Sequence, residues 1–235
     1  YASLDYINKN NVTLQTGLYD SGDAFFYMPS SGNNIGFYTN DLQRMTIAKS
    51  GNVGIGTTNP DAKLDIYNGS ILSSSNTAMR HYRNVFAKYI QNGAVTGTLK
   101  VVLPKTGDTF ADITIKGYDY SSYGAWEVRV SGYIYQNTGG GWYTNNHKAQ
   151  IIGSAPFSSV RLGYDGSRPV ILLGTTSTVW SYPNVEVTDF TTSFSGITGW
   201  GAGWDAAVIS SETGITTIAT PSIHVYTTQG GSVGI

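Results

Sequence analysis

The chain has 235 residues, 29 of them glycine, no cysteine, and a formal charge of −1. Charged residues make up only 12%, roughly half the usual share, so Ser, Thr and Asn must keep the surface hydrated. No basic cluster could neutralise a phosphate backbone, no thiols could form a disulfide or a thiolate metal site, and no apolar run approaches the roughly 18 residues that span a bilayer. Nucleic-acid binding and membrane insertion are therefore not expected.

Residues 1–48 read as an N-terminal β-rich segment. Val12-Thr-Leu-Gln15 and Ala24-Phe-Phe-Tyr-Met28 are strand-like, and Asp20-Ser-Gly-Asp23 and Ser30-Ser-Gly-Asn-Asn34 are turns. Across the boundary with residues 49–68, Met45, Ile47, Val53, Ile55, Leu64 and Ile66 fall on a period of two within short runs. Lys49-Ser-Gly-Asn52 and Gly56-Thr-Thr-Asn-Pro60 separate those runs. Strands this small cannot bury a core of their own, so these six apolar residues are expected to face other copies of the chain. Residues 69–80, serine-rich, read as a linker. From 81 to 228 the strands lengthen and recur regularly: Asn84–Gln91, Thr98–Leu103, Ala111–Lys116, Ala125–Gln136, Lys148–Ser154, Ser159–Tyr164, Pro169–Leu173, Asn184–Thr191, Ala206–Ser211 and Ser222–Tyr226. A competing helical reading exists only over Asn76 to Ile90. This spacing predicts a β-sandwich, jelly-roll-like head. Residues 229–235 reopen the earlier motif as Gly231-Ser-Val-Gly-Ile235.

Met45-Thr-Ile47, Gly51-Asn-Val-Gly-Ile-Gly-Thr-Thr-Asn-Pro60 and Lys63-Leu-Asp-Ile66 together resemble a shaft repeat of phage tail fibres and tailspikes. In that family the repeat often precedes a self-cleaving chaperone domain of the endosialidase type. The resemblance implies a homotrimeric, elongated, extracellular fibre on the virion that recognises a bacterial surface glycan or surface protein. The expected fold class is thus all-β, with thin interlocked shaft segments flanking the sandwich head. A chain that stops inside the second copy of the motif is expected to be a fragment.

Little in the sequence suggests catalysis. His81, His147 and His224 lie far apart and lack zinc-ligand spacing. Asp20-Ser-Gly-Asp23 lacks the alternating oxygen ligands and distal Glu of a calcium loop. No Gly-x-Ser-x-Gly occurs, and Gly139-Gly-Gly141 reads as a hairpin tip. Acids such as Asp108, Asp112, Asp119, Glu127, Asp165, Glu186, Asp189, Asp205 and Glu212 cannot be paired by sequence. We therefore expect no catalytic residues, no metal, no cofactor and no enzyme activity.

Aromatic residues among small ones carry the binding expectation. Tyr118-Asp-Tyr-Ser-Ser-Tyr123, Gly141-Trp-Tyr143 and Gly199-Trp-Gly-Ala-Gly-Trp-Asp205 set rings where side chains could project from turns. Sugar C–H faces stack on such rings, and hydroxyls pair with polar groups beside them. The expected ligand-binding set is Tyr120, Tyr123, Trp142, Tyr143, Trp200, Trp204 and Asp205. The competing reading has these rings capping the sandwich or filling a subunit interface. Trp126 and Trp180, in or beside strand patterns, are expected in the core. The leading functional expectation is a receptor-binding fibre segment, with a structural spacer and a virion-associated polysaccharide depolymerase as alternatives.

Overall fold

The computed structural model describes residues 2–7, 13–18, 21–27, 34–76, 78–121, 123–135 and 141–226, and every regular element among them is a strand. The Gly231–Ile235 echo and the Gly139-Gly140 tip lie outside the described residues. The chain divides into two compact units, residues 1–68 and 69–235.

Unit 1 holds two small sheets. In the first, β1 (Ala2–Ile7), β2 (Thr13–Leu18) and β3 (Ala24–Tyr27) form an antiparallel meander. In the second, β4 (Ile35–Thr39), β5 (Leu42–Ile47) and β6 (Val53–Ile55) run antiparallel, and β7 (Leu64–Ile66) adds parallel to β6. The connection from β6 to β7 is too short for a helix and folds back across the sheet instead. No described apolar residue of this unit is buried; the buried apolar residues begin at Tyr82.

Unit 2 is built from two larger sheets. Its strands are β8 (Ile71–Asn76), β9 (Met79–Tyr89), β10 (Ala94–Thr96), β11 (Thr98–Val102), β12 (Thr109–Asp119), β13 (Gly124–Tyr135), β14 (Gly141–Trp142) and β15 (Lys148–Gly153). They continue with β16 (Val160–Tyr164), β17 (Pro169–Leu173), β18 (Val179–Ser181), β19 (Asn184–Phe194), β20 (Asp205–Ile209), β21 (Thr216–Ala219) and β22 (Ile223–Tyr226). One sheet has the order β22-β15-β13-β12-β19-β9-β8, with β14 on β13, and the other β20-β11-β17-β16-β21. The run β9-β10-β11 pairs successively with β19, β18 and β17, so one antiparallel ribbon passes from the first sheet to the second.

One buried cluster takes side chains from both sheets, which stacks them as two layers. The large sheet contributes the cross-strand row Tyr82, Phe190, Ile113, Val130 and Ala149. The smaller sheet contributes Leu99, Val101, Leu162, Ile171 and Leu173. Trp126 and Trp180 both lie in this core, their rings packed with Phe157 between them.

Two expectations change. The helical competitor over Asn76 to Ile90 is strand: its alternating Tyr82 and His81 point to opposite faces of β9. The stretch 69–80, read as a linker, carries β8, which pairs with β9 through Ile71↔Arg83 and Leu72↔Tyr82 and so belongs to unit 2. Its serines form an edge strand because backbone pairing, not side-chain burial, holds them there.

Candidate ligand surface and assembly face

The register of β4–β7 gathers the apolar residues of unit 1 on one face. Ile35, Ile47, Val53 and Leu64 form one cross-strand row, and Phe37, Met45, Ile55 and Ile66 form the next. All six residues expected at an oligomer interface share this face, joined by Ile35 and Phe37. The alternation Ile35-Gly-Phe37 makes those two legible in the sequence as well. The face is open: Leu64 is 57% exposed and Phe37 49%, with the others partly exposed.

The opposite face is closed by the chain itself. Thr46 is buried there and accepts a hydrogen bond from Gln43 Nε2 at 2.8 Å. Asn52 Nδ2 donates to the Pro60 carbonyl at 3.1 Å, which folds the 57–60 turn back over Gly54. A Cβ on Gly54 would lie 2.6 Å from the Thr57 carbonyl oxygen. The second glycine of Gly51-Asn-Val-Gly54 is thus required by close backbone approach. One face is sealed and one is left apolar.

The residues expected to bind ligand do not form one surface, and the three tryptophans among them are corrected to core. Trp142 is 1% exposed; its Nε1 donates to the Val170 carbonyl at 3.2 Å and its ring lies over Gly132. Trp200 is fully buried against Phe190, at 5.0 Å between ring centres, and its Nε1 donates to the Gly196 carbonyl at 2.6 Å. Trp204 is buried on the same phenyl ring and donates to the Trp200 carbonyl at 2.7 Å. The glycine-rich loop turns inward, and each indole N–H finds a backbone carbonyl, which removes the cost of burying it. Asp205 is exposed but tied to Lys88 Nζ at 2.8 Å. That hydrogen bond, outweighing burial, holds its carboxyl below the ordinary range.

The tyrosines behave differently. Tyr120 and Tyr123 are exposed at the turn between β12 and β13, with Tyr182 edge-on to Tyr120 at 5.4 Å. Buried Asp119 pins this turn by accepting from the Ser121 amide and hydroxyl and from the Ser181 amide. Tyr143 lies at the far end of the same strands, separated by the length of β12, about 30 Å at strand rise.

At that far end Tyr143 joins rings outside the expected ligand-binding set. Phe110 on β12 and Tyr133 on β13 are cross-strand partners. With Tyr135, Tyr143 and Asn146 they line an open hollow of about 460 Å³. Tyr135 meets Tyr143 edge-on at 6.1 Å and 80°, and Tyr133 lies 6.2 Å from both Tyr135 and exposed Phe194. A signal did exist. Trp126, Val128, Val130 and Ile134 face the core, so Tyr133 and Tyr135 share the outer face with Glu127, Arg129 and Ser131.

The acidic residues are mostly spoken for. Asp112 pairs with Arg129, Asp189 with His81, Asp165 with Lys100 and Glu212 with Arg161. Glu127 lies 3.8 Å from Lys116. Among the described residues no three His, Asp or Glu side chains converge to hold a metal ion. No protein-family model matches the chain, and no curated protein shows significant similarity to it.

Proposed function

We propose that this chain is a segment of a homotrimeric phage tail fibre or tailspike, carried outside the cell on the virion, that attaches to a bacterial surface glycan or surface protein. The observation that carries this reading is the eight-residue apolar face of β4–β7 in a unit with no buried apolar residue among those described. Such a face is stabilised by covering it, and copies wound about one axis present it to each other. The resemblance of residues 45–66 to a fibre shaft repeat points the same way. In unit 2, the two-layer packing and the β9–β11/β17–β19 ribbon support a jelly-roll-like head. Rigid strands there carry outward rings at both ends of β12 and β13. Attachment by several weak sites on one rigid axis gains avidity without any single tight contact. The reading assigns no catalytic step.

The burial of Trp142, Trp200 and Trp204 favours a second reading, a head that only spaces the shaft. Native mass spectrometry and adsorption to bacterial cells separate the possibilities. The proposal expects a trimer at micromolar concentration that adsorbs to host cells. A trimer that adsorbs to no cell leaves the spacer, and a well-folded monomer overturns the shaft assignment.

A further inference from the structure

We infer that the hollow lined by Phe110, Tyr133, Tyr135, Tyr143 and Asn146 is a binding site for an uncharged saccharide ring; its role in attachment rests on the receptor-binding reading above. Three features of the hollow converge on this ligand.

The first is its placement. The outer face of the large sheet is hydrophilic along the same strands, with Asp112, Thr114 and Lys116 on β12 and Glu127, Arg129 and Ser131 on β13. Aromatic rings on such a face gain nothing from the core, and their own exposure is unfavourable. The second is rigidity. Tyr133 is paired with Phe110 of β12, and Tyr135, the last residue of its strand, is paired with Gly141 of β14. Tyr143 follows buried Trp142 and donates its amide to the Tyr133 carbonyl at 2.8 Å. Rings held this way need little ordering when a ligand arrives.

The third is chemistry. A volume of about 460 Å³ lies within the roughly 300–1,000 Å³ typical of small-ligand sites. Tyr135 and Tyr143 stand nearly perpendicular, so one ring presents its face where the other presents its edge. A pyranose offers a C–H face to the first and hydroxyls to phenol and Asn146 amide groups around it. None of the described lining residues is basic, so an acidic sugar would find no counter-charge. Burial, together with the nearby Asp108 carboxylate, pushes the Tyr133 phenol up.

The test uses the intact chain in saturation-transfer NMR with methyl glycosides of glucose, galactose and N-acetylglucosamine, set against glucuronate and N-acetylneuraminate. Tyr143→Ala and Tyr135→Leu remove ring walls, and Tyr120→Ala at the opposite end is the control, with melting temperature checked for each. The expected result is binding of at least one neutral glycoside, weakened about tenfold or more in both hollow variants and unchanged in Tyr120→Ala. Preferential binding of the acidic sugars, no neutral binding by the folded wild type, or loss in Tyr120→Ala alone overturns the inference. Adsorption to cells distinguishes the two levels. Wild-type adsorption that survives in both hollow variants, or is abolished by protease treatment of the cells but not by periodate, overturns the hollow's role in attachment and leaves receptor binding standing. Failure of the wild type to adsorb to any cell removes the attachment reading, while glycoside binding at the hollow still stands or falls on the NMR.

Discussion

The β4–β7 sheet of unit 1 and the large sheet of unit 2 are written in the same alternating code but dispose of their apolar faces differently. In unit 2 the row from Tyr82 through Phe190, Ile113 and Val130 to Ala149 meets a second sheet supplied by the same chain. In unit 1 the row from Ile35 through Ile47 and Val53 to Leu64 meets no buried partner of its own. Alternation therefore specifies that a face is apolar, and only chain length and strand count decide whether the chain can cover it.

The sharpest break of that comparison is a core truncation in unit 2. Trp200→Ala empties a site wedged on Phe190 and removes the indole N–H that holds the Gly196 carbonyl. We expect a loss of about 3–5 kcal/mol, read as a lowered denaturant midpoint. A loss under about 1 kcal/mol would restore Trp200 to the surface role its sequence context suggested.

Next comes the open face. Ile55→Asp combined with Leu64→Asp puts charge on both apolar rows without touching any buried residue. The proposed trimer should dissociate to single chains at micromolar concentration in native mass spectrometry, while the unfolding midpoint of unit 2 stays within error. An unchanged trimer would mean that this face is not where copies meet.

Much of this contrast was legible before the structure. Each strand expected between Asn84 and Tyr226 coincides with an observed one, because long alternating runs between turn residues leave little ambiguity. What escaped in unit 2 were β8, β10, β14, β18 and β21, pieces of two to six residues such as Ala94-Val-Thr96, held by pairing rather than by a pattern of their own. The site was half legible. Trp204 and Tyr123 sit in similar glycine- and serine-rich contexts, yet one is buried and one exposed. The difference lies in packing: the indole N–H groups of Trp200 and Trp204 find carbonyls only four residues upstream, but their rings bury because Phe190 on β19 receives them, a partner the loop's own sequence does not name. Tyr133 and Tyr135 could have been found by parity alone.

A smaller effect tests how tightly unit 2 closes. Gly117 on β12 lies opposite Trp126, and a Cβ there would stand 2.2 Å from the indole ring and 2.7 Å from the Asn184 carbonyl. The ring cannot retreat, because Phe157 and Trp180 hold its other side. Gly117→Ala should cost about 1–3 kcal/mol in thermal unfolding. Gly22→Ala in unit 1, where nothing lies within 4 Å but the backbone is left-handed at φ 91°, should leave unit 2's midpoint unmoved.

The smallest effect is electrostatic, and pH reveals it. Arg161 Nη1 and Nη2 reach the two Glu212 carboxylate oxygens at 2.6 and 2.7 Å, and Nη2 also donates to the Gly174 carbonyl at 2.8 Å. This fork ties the turn after β20 to β16, holding Ile215 against Val102, Val170 and Leu172 on the outer side of the smaller sheet. The hydrogen bonds from Arg161, outweighing burial and helped by Thr98, hold the Glu212 carboxyl below its ordinary range. A carboxylate whose folded pKa is lowered binds its proton more readily when unfolded. Its contribution is therefore fully present above the ordinary carboxylate value of about 4 and is lost as pH falls from there through the folded value. Both side chains are largely shielded from solvent, at 18% and 23% exposure, so we expect about 1–2 kcal/mol to vanish over that acid range. Glu212→Gln keeps the shape, lowers stability at neutral pH by a similar amount and flattens the acid limb of the denaturant midpoint against pH. Wild type and variant with parallel acid limbs would show that the turn is held by Ile215 alone.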